Sequence, residues 1–142
     1  MRIGMFAVAA AVAVLAAGAA CAEVLHFTAK LDGASETPPN DSAGVGTAWA
    51  DLNTASKTLD WKVEYSGLTG PATMAHFHGP APVGKAAGVA VPLKGDLASP
   101  TKGSATLTDA QIADLRAGMW YVNVHTAAHP GGEIRGQVEP AK

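Results

Sequence analysis

The chain has 142 residues, a formal net charge of −2 and a single cysteine. Its lysines and arginines are scattered, which argues against nucleic acid or an anionic membrane surface as a partner. One cysteine cannot close an intramolecular disulfide, so stability must come from packing, turns or a metal.

The first stretch reads as a targeting segment. Arg2 precedes the apolar run "MFAVAAAVAVLAAGAA" (5–20), and Ala20-Cys21-Ala22 offers the small residues of a signal-peptidase site. The run is short for a membrane span. The expectation is a secretory signal over residues 1–22, a domain over 23–142, and a periplasmic or secreted protein with no membrane insertion after cleavage. The alternative, lipidation of Cys21, lacks the leucine expected ahead of it in Gly18-Ala19-Ala20. About 120 residues then remain, enough for one core.

Short runs punctuated by Gly, Pro, Asn, Asp and Ser follow. "VLHFTAKL" (24–31) and "GVGTAWADL" (44–52) read as strands around the polar, Pro-rich loop "ETPPNDSAG" (36–44). In "TLDWKVEYSGL" (58–68), Leu59, Trp61, Val63 and Tyr65 alternate as on a half-buried strand. "ATMAHFH" (72–78), "GVAVPL" (88–93) and "GSATL" (103–107) are further strands. "TDAQIADLRAG" (108–118) predicts one short helix, with Thr108 and Gln111 as a capping box and Gly118 as its stop. Strands resume in "MWYVNVHT" (119–126) and "EIRGQVEP" (133–140). Eight short strands and one helical connection predict an all-β fold, an antiparallel β-sandwich or barrel of Greek-key type.

The histidines carry the chemistry. Alternate side chains of a strand point the same way, so Met74, His76 and His78 share one face while Ala75 and Phe77 share the other. Met119, Tyr121, Asn123 and His125 likewise oppose Trp120, Val122 and Val124. The apolar set of each strand suits a core; the polar sets hold three of the five histidines. Two imidazoles on one side of a strand can converge on one ion at the ~2.0 Å a nitrogen ligand needs. His129 is a candidate fourth ligand, since Pro130-Gly131 suits a type II turn that would fold it back over the strand end. Imidazole-only sites suit copper or zinc, and the affinity order places Cu(II) first. His26 reads as a surface or hydrogen-bonded residue, and Met74 and Met119 as packing. Tyr121 or Asn123 could hydrogen-bond a ligating histidine.

Other chemistry is thin. Ser66 and Ser104 have no His/Asp arrangement beside them, and the carboxylates are dispersed. "GPAPVGKAAG" (79–88) lacks the order of a phosphate loop and reads as a connection that could wall the histidine face.

The stretches "AHFHGPAPVGKAAGVAVPL" and "LTDAQIADLRAGMWYVNVHTAAHPGGEIRGQV" resemble the chordin-type (CHRD) domain, found in bacterial secreted proteins and in animal chordin. The resemblance covers about residues 24–138. It implies an immunoglobulin-like β-sandwich; chordin itself binds growth factors. The H-x-H pair with a later strand histidine also resembles the copper site of Cu/Zn superoxide dismutases. On that likeness His76, His78 and His125 would ligate copper, and Arg135 would be the catalytic arginine that guides the anion. The disulfide and the zinc loop of those enzymes are missing here, so the likeness implies a mononuclear Cu(II)/Cu(I) site. Superoxide would then be the small anion substrate, with a homodimer left open. Copper storage or delivery, and a non-catalytic interaction module, are the alternatives.

Overall fold

The structure, a computed structural model, describes residues 21–142. The expected signal lies outside them, apart from exposed Cys21 and Ala22. Nine strands and one helix occur among the described residues: β1 (Val24–Asp32), β2 (Val45–Asn53), β3 (Thr58–Ser66), β4 (Ala72–His78), β5 (Val89–Pro92), β6 (Thr101–Thr106), α1 (Asp109–Arg116), β7 (Tyr121–Thr126), β8 (Ile134–Gln137) and β9 (Glu139–Pro140). All pairings are antiparallel, in the order β5-β4-β7-β8-β1-β2-β3-β6, with β9 on β1.

The all-β expectation holds. The thinnest pairing, the single Asp32–Arg135 bridge between β1 and β8, divides the path into the halves β5-β4-β7-β8 and β1-β2-β3-β6 of a sandwich that is nearly a barrel. Gly136 permits that junction: a Cβ there would stand 2.1 Å from the Lys30 carbonyl oxygen of β1. The chain passes between the two halves in the β3–β4, β5–β6, β6–β7 and β8–β9 connections.

Alternation fills the space between the halves. Phe27, Ala29 and Leu31 of β1 meet Ala48, Ala50 and Leu52 of β2 and Leu59, Trp61 and Val63 of β3, all buried. Ala75 and Phe77 of β4, with Trp120, Val122 and Val124, close the core from the other side. Phe77 links them, 5.7 Å from Trp61 edge-on and 5.9 Å from Trp120 between ring centroids. Such aromatic pairs add to what area burial supplies. Trp49 instead lies outside, under the Lys62 ammonium at 4.3 Å.

The helix forms as its capping box predicts, with both reciprocal Thr108–Gln111 bonds in place. Gly118, at φ +71°, ends it: its N–H reaches the Leu115 carbonyl and the Met119 N–H reaches that of Asp114, a Schellman pair. Leu115 is thereby pinned in the core.

Alternation fails in β7, where all six residues are buried. The outward face of β4-β7-β8 is roofed by the 33–44 and 79–88 connections. The 79–88 segment is fastened by Ala81 N–H to the Met119 carbonyl at 2.7 Å and by Gln137 Nε2 to the Ala81 carbonyl at 2.9 Å. This connection walls the histidine face, as its composition suggested.

Candidate metal centre

The register of β4 on β7 places His76 opposite Asn123, His78 opposite Tyr121 and Met74 opposite His125. The register of β7 on β8 adds Arg135 beside Asn123. These side chains tile the outward face because Ala75, Phe77, Val122 and Val124 occupy the inward one. His76, His78 and His125 each bring one ring nitrogen within 4.8 Å of the others, and the three could together hold a metal ion.

Hydrogen bonds set which nitrogen of two rings faces the centre. His78 Nδ1 lies 3.0 Å from the Ala87 carbonyl oxygen and His125 Nδ1 lies 2.9 Å from that of Pro130. A carbonyl oxygen only accepts, so both Nδ1 atoms carry the proton, and in the neutral rings both Nε2 atoms keep a lone pair. A ligating histidine is ordinarily oriented in this way. Those two Nε2 atoms point at one acceptor, Asn123 Oδ1, at 2.9 and 3.0 Å. The Asn123 amide is turned so by its Nδ2, which donates to Glu36 Oε1 at 3.4 Å. His76 Nδ1 stands 3.2 Å from His125 Nε2. Nitrogens of three rings and an amide oxygen thus converge on one small region.

Electrostatics keeps the donors available. Burial, then the neighbouring His125 and His78, lowers the His76 pKa. Burial also lowers that of His78, although the acceptors its ring faces, the Ala87 carbonyl and Asn123 Oδ1, favour the charged ring and oppose the shift. Neutral imidazole is the ligating form. Behind the centre, burial raises the Glu36 carboxyl, although the Thr37 backbone N–H, Asn123 and the Arg135 charge oppose it.

A stacked column borders the site. The His78 and Tyr121 rings are parallel within 5° at 4.7 Å, and the Arg135 guanidinium lies 3.5 Å from the Tyr121 centroid. Arg135 is 3% exposed and spends its terminal nitrogens on Thr37 Oγ1 at 3.1 Å and the Lys85 carbonyl at 2.6 Å. It thus stands as a buried charge tying the roof to the sheet. A cavity of about 370 Å³ opens beside it, lined by Glu36, Thr37 and Val83 among others.

The remaining expectations divide. His26 is a surface residue bonded to Asp51 at 2.6 Å. His129 is half-buried, and its ring is not among the converging nitrogens. The turn it begins is closed by Gly132 N–H to the His129 carbonyl at 3.0 Å, but positive φ falls on Gly132 (+127°) and not on Gly131. The type II expectation is therefore corrected. Gly132 also makes room: a Cβ there would stand 2.3 Å from Glu36 Oε1 and 2.8 Å from Asn123 Nδ2. Met74 corrects a second expectation, since 46% exposure is not packing.

Sequence reasoning missed Glu36 and Glu133. Glu133 is fully buried and gathers Ser42 Oγ at 2.6 Å, Thr69 N–H at 2.9 Å, Thr69 Oγ1 at 2.8 Å and Thr126 Oγ1. Burial pushes its carboxyl up, but these donors outweigh it and hold the pKa at about 2. The knot anchors both ends of the 127–132 turn, whose Pro130 carbonyl orients His125. A lone Glu between Gly132 and Ile134 gave no signal of this.

No helix among the described residues is long and apolar enough to cross a membrane. No curated protein and no solved structure matches the chain. The CHRD domain matches residues 27–138, a span that contains all three converging histidines, and the chain belongs to that family.

Proposed function

We propose that this is an exported copper-binding CHRD protein whose His76–His78–His125 centre takes up and passes on one copper ion. The observation that carries the reading is the pairing of Nδ1–H donors with carbonyls on His78 and His125, which aims two free Nε2 lone pairs at the same point. The donor set is nitrogen from imidazole, which suits copper foremost and zinc second. Bound copper would supply one-electron chemistry. The chain's part is to orient the rings, hold them neutral and restrict access to the side of His76, the one partly exposed histidine of the three.

That open side also favours a second reading, dismutation of superoxide at the same copper, because a small anion could reach the ion there. Arg135 would add a buried positive charge. The 3% exposure of Arg135 and its engaged donors favour the copper-handling reading over this one.

Metal analysis of the exported protein, beside its His76→Ala/His78→Ala variant, tests the reading. One copper per wild-type chain and none in the variant is the expected result. Equal copper in both would overturn it.

A further inference from the structure

Met74 is a large apolar side chain left 46% exposed in a protein that buries Phe77 and Ala75 from the same strand. Core packing does not explain its place. On the β4–β7 pair it stands directly opposite His125, and two residues before His76 on the same face. Side chains opposite each other on antiparallel strands have Cβ atoms ~5 Å apart. Methionine adds three rotatable bonds, so its sulfur can sweep the space over a neighbouring ring. Met74 is thus flanked by two of the three converging histidines, on the side of the centre that is open to solvent.

The opposite, buried side presents a donor of contrary character, the hard amide oxygen of Asn123. A thioether is soft and selects Cu(I), whereas an amide oxygen suits harder ions. The buried side of the centre thus offers a hard donor, and the residue opposite His125 at the exposed side carries a soft one.

Building on the copper reading, we infer that Met74 is a fourth ligand used for Cu(I), which makes the centre selective for reduced copper over Zn(II) and gives soft copper its route in. The three histidines serve either ion, and Met74 distinguishes them.

The test compares the full chain with Met74→Leu, which keeps side-chain volume at an exposed position. Cu(I) affinity is measured by competition with a chromophoric Cu(I) chelator under reducing conditions, and Zn(II) affinity by competition with a zinc dye. Met74→Leu should weaken Cu(I) roughly tenfold or more, the scale on which even indirect partners move metal affinity. Zn(II) affinity should be unchanged. X-ray absorption of the Cu(I)-loaded wild type should contain a sulfur contribution that Met74→Leu lacks. Unchanged Cu(I) affinity in Met74→Leu, or an equal loss for both ions, would overturn the role of Met74 and leave the histidine centre standing. A wild-type chain that binds Cu(I) no better than His76→Ala/His78→Ala would overturn both.

Discussion

His76 and His125 approach to 3.2 Å between ring nitrogens across two strands that are separated by a helix and two further strands in sequence. Two ligands of a tetrahedral ion with bonds of ~2.05 Å stand about 3.3 Å apart, so the pair is already set at ligand spacing. Single replacements His76→Ala, His78→Ala and His125→Ala should each weaken copper by about 100-fold or more, since loss of a ligand exceeds the 10–100-fold cost of an outer partner. His26→Ala, at the exposed Asp51 pair, should leave affinity unchanged. Calorimetric titration measures all four. A triad variant that keeps wild-type affinity would remove that residue from the centre.

Metal release should follow acid below the ordinary range of histidine. Burial lowers the pKa of both His76 and His78 from 6.5 in the fold. They stay neutral, and able to ligate, at a pH where free imidazole is half charged. Copper should therefore be retained at pH 6.5 and lost further into the acid. For the metal-free protein the unfolded chain binds more protons in this window, so stability is full above 6.5 and declines as pH falls towards the folded values. His76→Gln/His78→Gln should flatten that decline in a series of thermal melts. Release centred at or above pH 6.5 would contradict the shifts.

Much of this was legible from period alone. Alternation in 72–78 and 119–126 sorted Phe77, Val122 and Val124 inward and the histidines outward, because a strand offers only two directions. The capping box fixed α1 for an equally local reason. The burial of Tyr121, Asn123 and His125 was not legible, because the roof over them comes from distant connections whose path no periodicity encodes. The carbonyls of Ala87 and Pro130 are invisible in sequence for the same reason: every residue has one, and only the fold aims it. Glu36 and Glu133 each stood as one acid among scattered others, and their roles arise where separate loops meet. Met74 was misread because alternation gives a face but not what covers it.

Glu133 should prove a structural keystone with an acid signature of its own. Its carboxyl is held at about 2 against an ordinary 4.5, a preference of the folded state worth about 3 kcal/mol on the scale of 1.36 kcal/mol per unit. That stability is present above pH 4.5 and is lost as pH falls towards 2, a window below that of the histidines. Glu133→Gln keeps the shape but gives up the charge-assisted bonds from Ser42, Thr69 and Thr126. It should cost about 2 kcal/mol at neutral pH, seen as a drop of several degrees in Tm, and flatten the acid limb below 4.5. A variant with wild-type Tm and an unchanged acid limb would show that the knot contributes nothing.

Arg135 decides between passing copper on and dismuting superoxide. Its guanidinium is stacked on Tyr121, whose ring in turn stacks on His78, so its charge borders the centre without facing solvent. If the loaded protein is a dismutase, superoxide decay followed by stopped flow should run faster than with the same copper free in buffer. Zinc loading should give nothing, because zinc has no redox chemistry. Arg135→Lys keeps the charge, whereas Arg135→Ala removes it along with the bonds to Thr37 and Lys85. Dismutation therefore requires the lysine variant to stay close to wild type and the alanine variant to slow, with copper bound in both. Salt screens exposed charges over ~10 Å at 0.1 M but buried ones much less, so the fall in rate with ionic strength should be shallow. Loaded protein no faster than free copper would exclude the enzyme. The expected outcome, with both terminal nitrogens of Arg135 engaged by the roof, is that dismutation is weak and that a competing copper chelator draws the metal out through the open side at His76.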